Sequence, residues 1–131
     1  MAAYWSWNAN QMIAILDANA LLIPWNFRID VFEEVRRLGF VPTTIEPVRR
    51  ELNTLMKKGF AGAGVALRLS ARCQTVETAG GSTVDDQILN TALKYKAAVV
   101  TNDKDLKREL REHGLHVVQL RNRKYLEVDL Q

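Results

Sequence analysis

Cysteine is almost missing from this chain. Cys73 is the only one in 131 residues, so no internal disulfide can form and a cysteine-built metal cluster has no basis. Histidine is nearly as scarce, with only His113 and His116. They fall near the end of the last predicted helix and the start of the fifth predicted strand, where surface positions are expected. No apolar run approaches the roughly 20 residues that a bilayer-spanning helix needs, so no membrane partner is expected. The N-terminus lacks a basic n-region and a long apolar h-region, which argues against a secretory signal. A cytoplasmic location is the resulting expectation.

What is present is ordinary in bulk: 47% hydrophobic and 25% charged residues, with a net charge of +3. That composition and length suit one globular domain with a single core. The basic residues concentrate in Arg49-Arg50, Lys57-Lys58, Lys104 to Arg111, and Arg121 to Lys124. Taken singly, each basic pair is better read as the solvated face of an amphipathic helix.

Hydrophobic periodicity organises the chain into alternating strands and helices. Residues 12–16 read as a buried strand and 20–24 as a short helical turn. Ile29, Phe32 and Val35 recur at helical spacing up to Leu38, and Gly39 stops that helix. Phe40-Val41 opens a second strand. Pro47 is a good first residue for a helix running to about Lys58. After the break at 59–64, a small-residue helix is expected over 61–72, then a third strand over 74–77. A helix over 84–95, a strand over 97–101, a helix over 104–113 and a fifth strand over 115–120 complete the pattern. Such alternation predicts a three-layer α/β/α sandwich around a mostly parallel sheet of about five strands. Residues 1–11 are expected to be a peripheral extension, with Met12 a candidate natural start. Residues 121–131 are expected to be a basic tail outside the 12–120 domain.

Four acids stand where such a sheet would bring them to the carboxyl ends of strands or the starts of the next helices: Asp17, Glu51, Asp85 and Asp103. Ligands of open α/β sheets bind in that crevice. Converging carboxylates would repel one another unless cations or protons neutralised them. Each acid also has a plain structural reading. Asp17 and Asp103 would make good helix N-caps. Glu51 shares a helical stripe with Val48 and Leu55, so it must be exposed at the edge, salt-bridged or cation-bound. Thr83 and Asp86 stand in a relation like a capping box, which explains Asp86 and leaves Asp85 on the apolar side. The functional reading rests on the conjunction. A negative pit with a basic surround would suit a polyanion backbone delivered to a metal.

Read together, Leu16-Asp17-Ala18-Asn19-Ala20-Leu21, Val48-Arg49-Arg50-Glu51-Leu52, Asp85-Asp86-Gln87-Ile88 and Val100-Thr101-Asn102-Asp103-Lys104-Asp105-Leu106 resemble the PIN domain family. The resemblance covers residues 12 to about 120. It implies a metal-dependent endoribonuclease with Asp17, Glu51, Asp85 and Asp103 as catalytic and metal-holding residues. Asn19, Thr101, Asn102, Asp86 and Asp105 would border that pocket. Segments 28–34 and 118–124 look most similar to archaeal PIN proteins related to the endonuclease of small-subunit rRNA processing. The toxins of VapBC pairs are also similar, and a PIN scaffold that binds RNA or protein without cutting is the other alternative.

Carboxylate oxygens without sulfur or imidazole suit Mg²⁺ or Mn²⁺, as one or two ions. Without a histidine pair, a metal-free acid–base route has little support. Single-stranded RNA is the expected substrate form, with Arg49, Arg50, Arg121, Arg123 and Lys124 available for its backbone. Tyr125 beside them could stack a base, although packing on the domain is the plainer reading. Further expected partners are an rRNA precursor or ribosome-assembly proteins, an antitoxin, or a second copy in a homodimer.

Overall fold

The computed structural model describes residues 11–129. The aromatic-rich segment 1–10 lies outside the described residues, so the expectation of a peripheral extension rests there on Gln11 alone. In chain order the elements are β1 (Met12–Leu16), α1 (Ala18–Leu21), α2 (Ile23–Phe27), α3 (Val31–Arg37), β2 (Phe40–Thr44) and α4 (Glu46–Lys57). Then come α5 (Ala63–Leu69) with a 3-10 turn at Ser70–Arg72, β3 (Gln74–Thr75), α6 (Val84–Tyr95), β4 (Ala98–Val100), α7 (Lys104–Glu112), β5 (Val117–Arg121) and β6 (Tyr125–Asp129).

The strands form one sheet in the order β3-β2-β1-β4-β5-β6. Every pairing is parallel except β5 with β6. β1 therefore has β2 on one side and β4 on the other, with Leu16 opposite Val100. The chain leaves β1 in one direction, through β2 and β3, and returns to its other flank at β4. That reversal is a topological switch point, and the crevice beyond β1 and β4 is where such sheets take ligands. Right-handed crossovers put the β1–β2 and β4–β5 connections on opposite faces. This makes the expected α/β/α sandwich. Ile15, Leu16, Ala98 and Val99 are buried at its centre, reading as the near-continuous apolar runs of a sheet covered on both sides.

Local chemistry sets the element ends. The Asp30 carboxylate accepts from the Phe32 and Glu33 N–H groups, both at 3.1 Å, so α3 starts after Asp30 instead of at Ile29. The single turn expected over 20–24 is two short helices meeting at Leu22. Pro24 opens the second one, where its missing N–H leaves no bond unmade. α4 and α5 pack chiefly on each other and on α1, α2 and α6. Since α1 starts just beyond β1, this helical hairpin stands over the carboxyl edge of the sheet.

The expected basic tail is a correction. Residues Tyr125–Asp129 form a sixth strand, antiparallel to β5, with Arg121 opposite Tyr125. Asn122 and Arg123 both take left-handed backbone, with φ of 56° and 58°, and the Lys124 N–H closes the turn on the Arg121 carbonyl at 3.1 Å. This is the primed turn that matches strand twist. Its Asn-Arg sequence lacks the glycine that marks most such turns. Leu126 is fully buried. Its carbonyl accepts from the Arg37 guanidinium at 2.8 Å, and its N–H donates to the Glu34 carboxylate at 2.9 Å.

A structural strand and a tail differ in what truncation costs. Leu126→Ala is expected to lower unfolding free energy by about 2–4 kcal/mol, the range for emptying a buried leucine site. Tyr125→Ala, at the exposed end of the same strand, should cost less than about 1 kcal/mol. Urea denaturation of the two variants measures the difference.

Candidate metal centre

Asp17 follows directly on β1. Its Oδ1 accepts from the Ala20 N–H at 2.7 Å and so caps α1. Only 7% of the residue is exposed, which is unusual for a carboxylate. Burial pushes its carboxyl up to about 6, against the pull of the Thr101 hydroxyl and the Ala20 N–H, while Asp85 and Glu51 add like charge. Asp103 lies in the equivalent place after β4. It caps α7 through the Leu106 N–H at 2.9 Å, and its own N–H donates to Thr101 Oγ1 at 3.1 Å. Both structural and functional readings of these two acids survive, because one oxygen can cap while the carboxylate still faces the crevice.

Glu51 and Asp85 are different. Both are exposed, and among the described residues neither has an ion pair or a side-chain hydrogen bond. The salt bridge that would explain Glu51 structurally is therefore not formed. It stands at the exposed edge of the α4 stripe, above buried Val48 and Leu52. Neighbouring protein strips hydration from it and raises its carboxyl, and Asp85 adds to the effect. Asp85 is raised by the same desolvation, then by Asp103, Glu109, Asp86 and Asp105. The charges that raise the Asp17, Glu51 and Asp85 carboxyls are those of neighbouring acids. Asp85 is the hub, coupled to Asp17, Glu51 and Asp103.

The start of α6 is built to hold Asp85 at the rim. Thr83 Oγ1 caps the helix from outside, accepting from the Asp86 N–H at 3.0 Å. Asp86 takes the Ser82 hydroxyl at 3.0 Å, which accounts for it as a loop brace. Gly81 lies so close beneath that a Cβ there would fall 2.8 Å from the Gln87 nitrogen; no larger residue lets the loop approach. Asn102 is likewise a brace, since its Oδ1 accepts from the Leu120 N–H at 3.0 Å and ties the ends of β4 and β5. Asp105 is turned to Arg108, at 3.2 Å.

Beside the acids opens a cleft of about 290 Å³ whose lining includes Asn19, Asn26, Phe27, Thr101, Asn102 and Asp103. Asn26 and Phe27 were not expected there, nor was Glu109 among the acids near Asp85. Glu109 follows Asp105 by one helical turn and shares its face. That is a signal of sorts, though one any amphipathic helix carries. His113 and His116 are exposed.

The basic residues divide. Arg49 reaches Glu46 at 3.5 Å and the Ser70 carbonyl at 3.1 Å, holding α4 to the 3-10 turn. Arg121 pairs with Glu127 across the hairpin at 2.5 Å. Both have partners within the fold. Arg50, Arg123 and Lys124 are exposed, with no ion pair among the described residues.

An oxygen-only donor set with no compensating cation fits a hard divalent ion. Among the described residues, no three of His, Cys, Asp and Glu are already drawn to metal-holding separation. The two capping acids are held by backbone N–H groups, whereas Glu51 and Asp85 make no side-chain bond among the described residues.

Comparison with known proteins agrees with this architecture. Residues 14–123 match the family model described as PIN like domain. The chain is 34% identical over 122 residues to Ribonuclease VapC9 of Archaeoglobus fulgidus, covering 89% of each protein. It is 30% identical over 122 residues to Ribonuclease VapC4 of Methanocaldococcus jannaschii, covering 86% of this chain and 92% of that one. Among solved structures, the PIN domain endonuclease Utp24 superposes with a TM-score of 0.75 at 26% identity, over 90% of this chain and 91% of the other.

The burial of Asp17 makes a pH prediction. Its carboxyl titrates near 3.8 when unfolded and about 6 when folded. Between those values the folded state holds more protons, so stability falls as pH rises. Above about pH 6 the full penalty of about 3 kcal/mol applies. Asp17→Asn keeps the cap without the charge. In the metal-free protein it should melt above wild type at pH 8, with the gain gone below pH 4, as thermal denaturation across pH would show.

Proposed function

Because the chain belongs to the PIN-like domain family, we propose that it is a metal-dependent endoribonuclease that hydrolyses phosphodiester bonds of single-stranded RNA. The observation that carries this reading is the cluster of Asp17, Glu51, Asp85 and Asp103 at the switch point, in which neighbouring acids raise Asp17, Glu51 and Asp85 and none of the four has an ion pair among the described residues. Structural ion pairs would bring their own cations. A cluster without them suits a cation that arrives with function. The names of the relatives, two archaeal ribonucleases and a PIN domain endonuclease, support RNA as the substrate.

Asp17 and Asp103 would be the fixed holders of Mg²⁺ or Mn²⁺, with Asp85 between them. Bound there, such an ion supplies Lewis-acid polarisation of the phosphate and a nucleophile at neutral pH. Glu51, exposed and unpartnered, is placed to orient the attacking water and accept its proton. Thr101 positions both capping acids, one through its hydroxyl hydrogen and the other through its oxygen. Asn19, at the mouth of the cleft, can hold a phosphate or sugar oxygen of the strand. Arg50, Arg123 and Lys124 remain for flanking phosphates.

Cleavage within rRNA or other RNA processing is the biological reading we favour, since a solved structure with this fold is the PIN domain endonuclease Utp24. The VapC names of the two archaeal relatives support a second reading, a toxin ribonuclease held by an antitoxin. Both readings place the protein in the cytoplasm and predict the same chemistry.

An unstructured oligoribonucleotide should be cut with Mg²⁺ or Mn²⁺ and left intact with EDTA. Asp17→Asn and Asp103→Asn should each reduce the rate by about 100-fold or more. Mg²⁺ or Mn²⁺ should also raise the melting temperature of wild type but not of Asp85→Asn. Cutting that survives both EDTA and Asp17→Asn would remove the proposal.

A further inference from the structure

We propose that Trp25 is a base-stacking platform that seats nucleotides of single-stranded RNA beside the acidic crevice. The identity of the strand rests on the ribonuclease reading above; the platform itself rests on geometry. Trp25 is 50% exposed, and Phe60 and Met56 are exposed at 59% and 41%. An indole on a surface is ordinarily mobile, but this one is braced. A Cβ built at Gly62 would lie 2.4 Å from both Cγ and Cδ1 of the ring. The indole therefore lies against bare backbone, at a residue whose φ of +85° already calls for glycine. One side of the ring is fixed and the rest is presented to solvent.

Its position follows from α2. Asn26 and Phe27, the next two residues on that helix, line the cleft that Asp103 also lines. Trp25 and the cleft thus share α2 as a support, on different faces of that short helix. The surroundings are cationic. Lys57 and Lys58 sit between Met56 and Phe60 in the chain, and Arg28 follows Trp25 by three residues. All three cations are exposed and have no ion pair among the described residues.

Charge and apolar surface together decide between two kinds of occupant. The core of a protein interface is depleted in lysine, whereas here a lysine pair interrupts the apolar patch. A grooved run of aromatics and cations is how proteins hold single strands without sequence preference, with rings for bases and ammonium groups for phosphates. RNA is the occupant this surface favours. It also answers what Arg49 and Arg121 leave open, since both are occupied by acids or carbonyls of the fold.

Fluorescence anisotropy of a labelled, unstructured oligoribonucleotide in EDTA tests the platform without any cutting. Trp25→Ala should weaken binding about tenfold, and Trp25→Phe by less than about threefold. An oligonucleotide with abasic sites should bind wild type more weakly, yet show no further loss with Trp25→Ala. Lys57→Gln with Lys58→Gln should flatten the logarithmic salt dependence by about 1.4. If Trp25→Ala misfolds by circular dichroism, Phe60→Ala and the abasic oligonucleotide carry the test, each with an expected loss of at least about threefold.

The platform is overturned if folded Trp25→Ala binds like wild type, or loses as much on the abasic strand as on the normal one. It is also overturned if the substitution alters only the sedimentation of the protein, which would make the patch a contact between copies. Binding through Trp25 without cutting in Mg²⁺ or Mn²⁺ would sink the nuclease reading and leave the platform. Cutting with an unchanged KM in Trp25→Ala would do the reverse.

Discussion

Repulsion among carboxylates at the end of β1 and β4 is the constraint around which the rest of this molecule is arranged. Asp17 is buried, and its charged form meets desolvation and the like charge of Asp85 and Glu51, eased by hydrogen-bond donors. In an ordinary core such a group would be replaced, because desolvated like charges work against folding. Here the surrounding elements contain the cost instead of removing it. The N–H groups at the starts of α1 and α7 each take one carboxylate oxygen, which neutralises part of the charge without a counter-ion. The Thr101 side chain links the two ends. The fold therefore holds Asp17 and Asp103 in place while leaving the net negative charge unanswered.

Glu51 and Asp85 meet the same repulsion in another way. They ride on helices whose anchoring lies elsewhere: Val48 and Leu52 under α4, Ile88 and Leu89 under α6. Their side chains extend from fixed backbones but make no bond of their own among the described residues. Two capping acids and two without bonds of their own give the proposed cation site a fixed half and an adjustable half. Sub-ångström fit in the absence of the ion would demand that four like charges be locked together, which no amount of local packing offsets cheaply. The braced loop before α6, with Gly81 and Ser82 pressed on Asp86, limits how far Asp85 can stray.

The elements with their own chemistry were legible in the chain. β1 and α6 have the boundaries that periodicity and capping suggest, because Asp17 and Thr83 mark the turns and the apolar runs are unambiguous. Three of the acids could be nominated since each lies at a strand end or in a first helical turn, where α/β sheets expose function, and Glu51 since it falls on the apolar stripe of its helix one turn further in. Tertiary facts were not legible. Nothing local says that Glu51 lacks a basic partner while Glu46 has Arg49, for both are charged residues on one helix with arginines within a turn. Nothing local places Glu109 near Asp85. β6 escaped for a physical reason: Asn122 and Arg123 adopt left-handed backbone without a glycine, held by the buried Leu126 and its bonds to Glu34 and Arg37. Long-range contacts there override the local preference.

The arginines show how far composition can mislead about a surface. Counted along the chain, Arg49-Arg50 and the 121–124 cluster are the obvious positive patches. In the fold, Arg49 fastens α4 to the 3-10 turn and Arg121 fastens β5 to β6, so one cation of each group serves the scaffold. A charge contributes to a long-range field only to the degree that no opposite charge lies within a few ångströms. By that criterion Arg28, Lys57 and Lys58 count equally with Arg50, Arg123 and Lys124, although they form a less conspicuous cluster in the chain. The helical hairpin that carries Glu51 at one end carries Lys57 and Lys58 at the other. One element thus contributes both to the acidic crevice that repels a phosphate backbone and to the cations that draw it in. An anionic strand held at such a surface would have to be gripped away from the acids and the acids neutralised where it bends inward, so the proposed cation and the proposed platform answer one and the same repulsion.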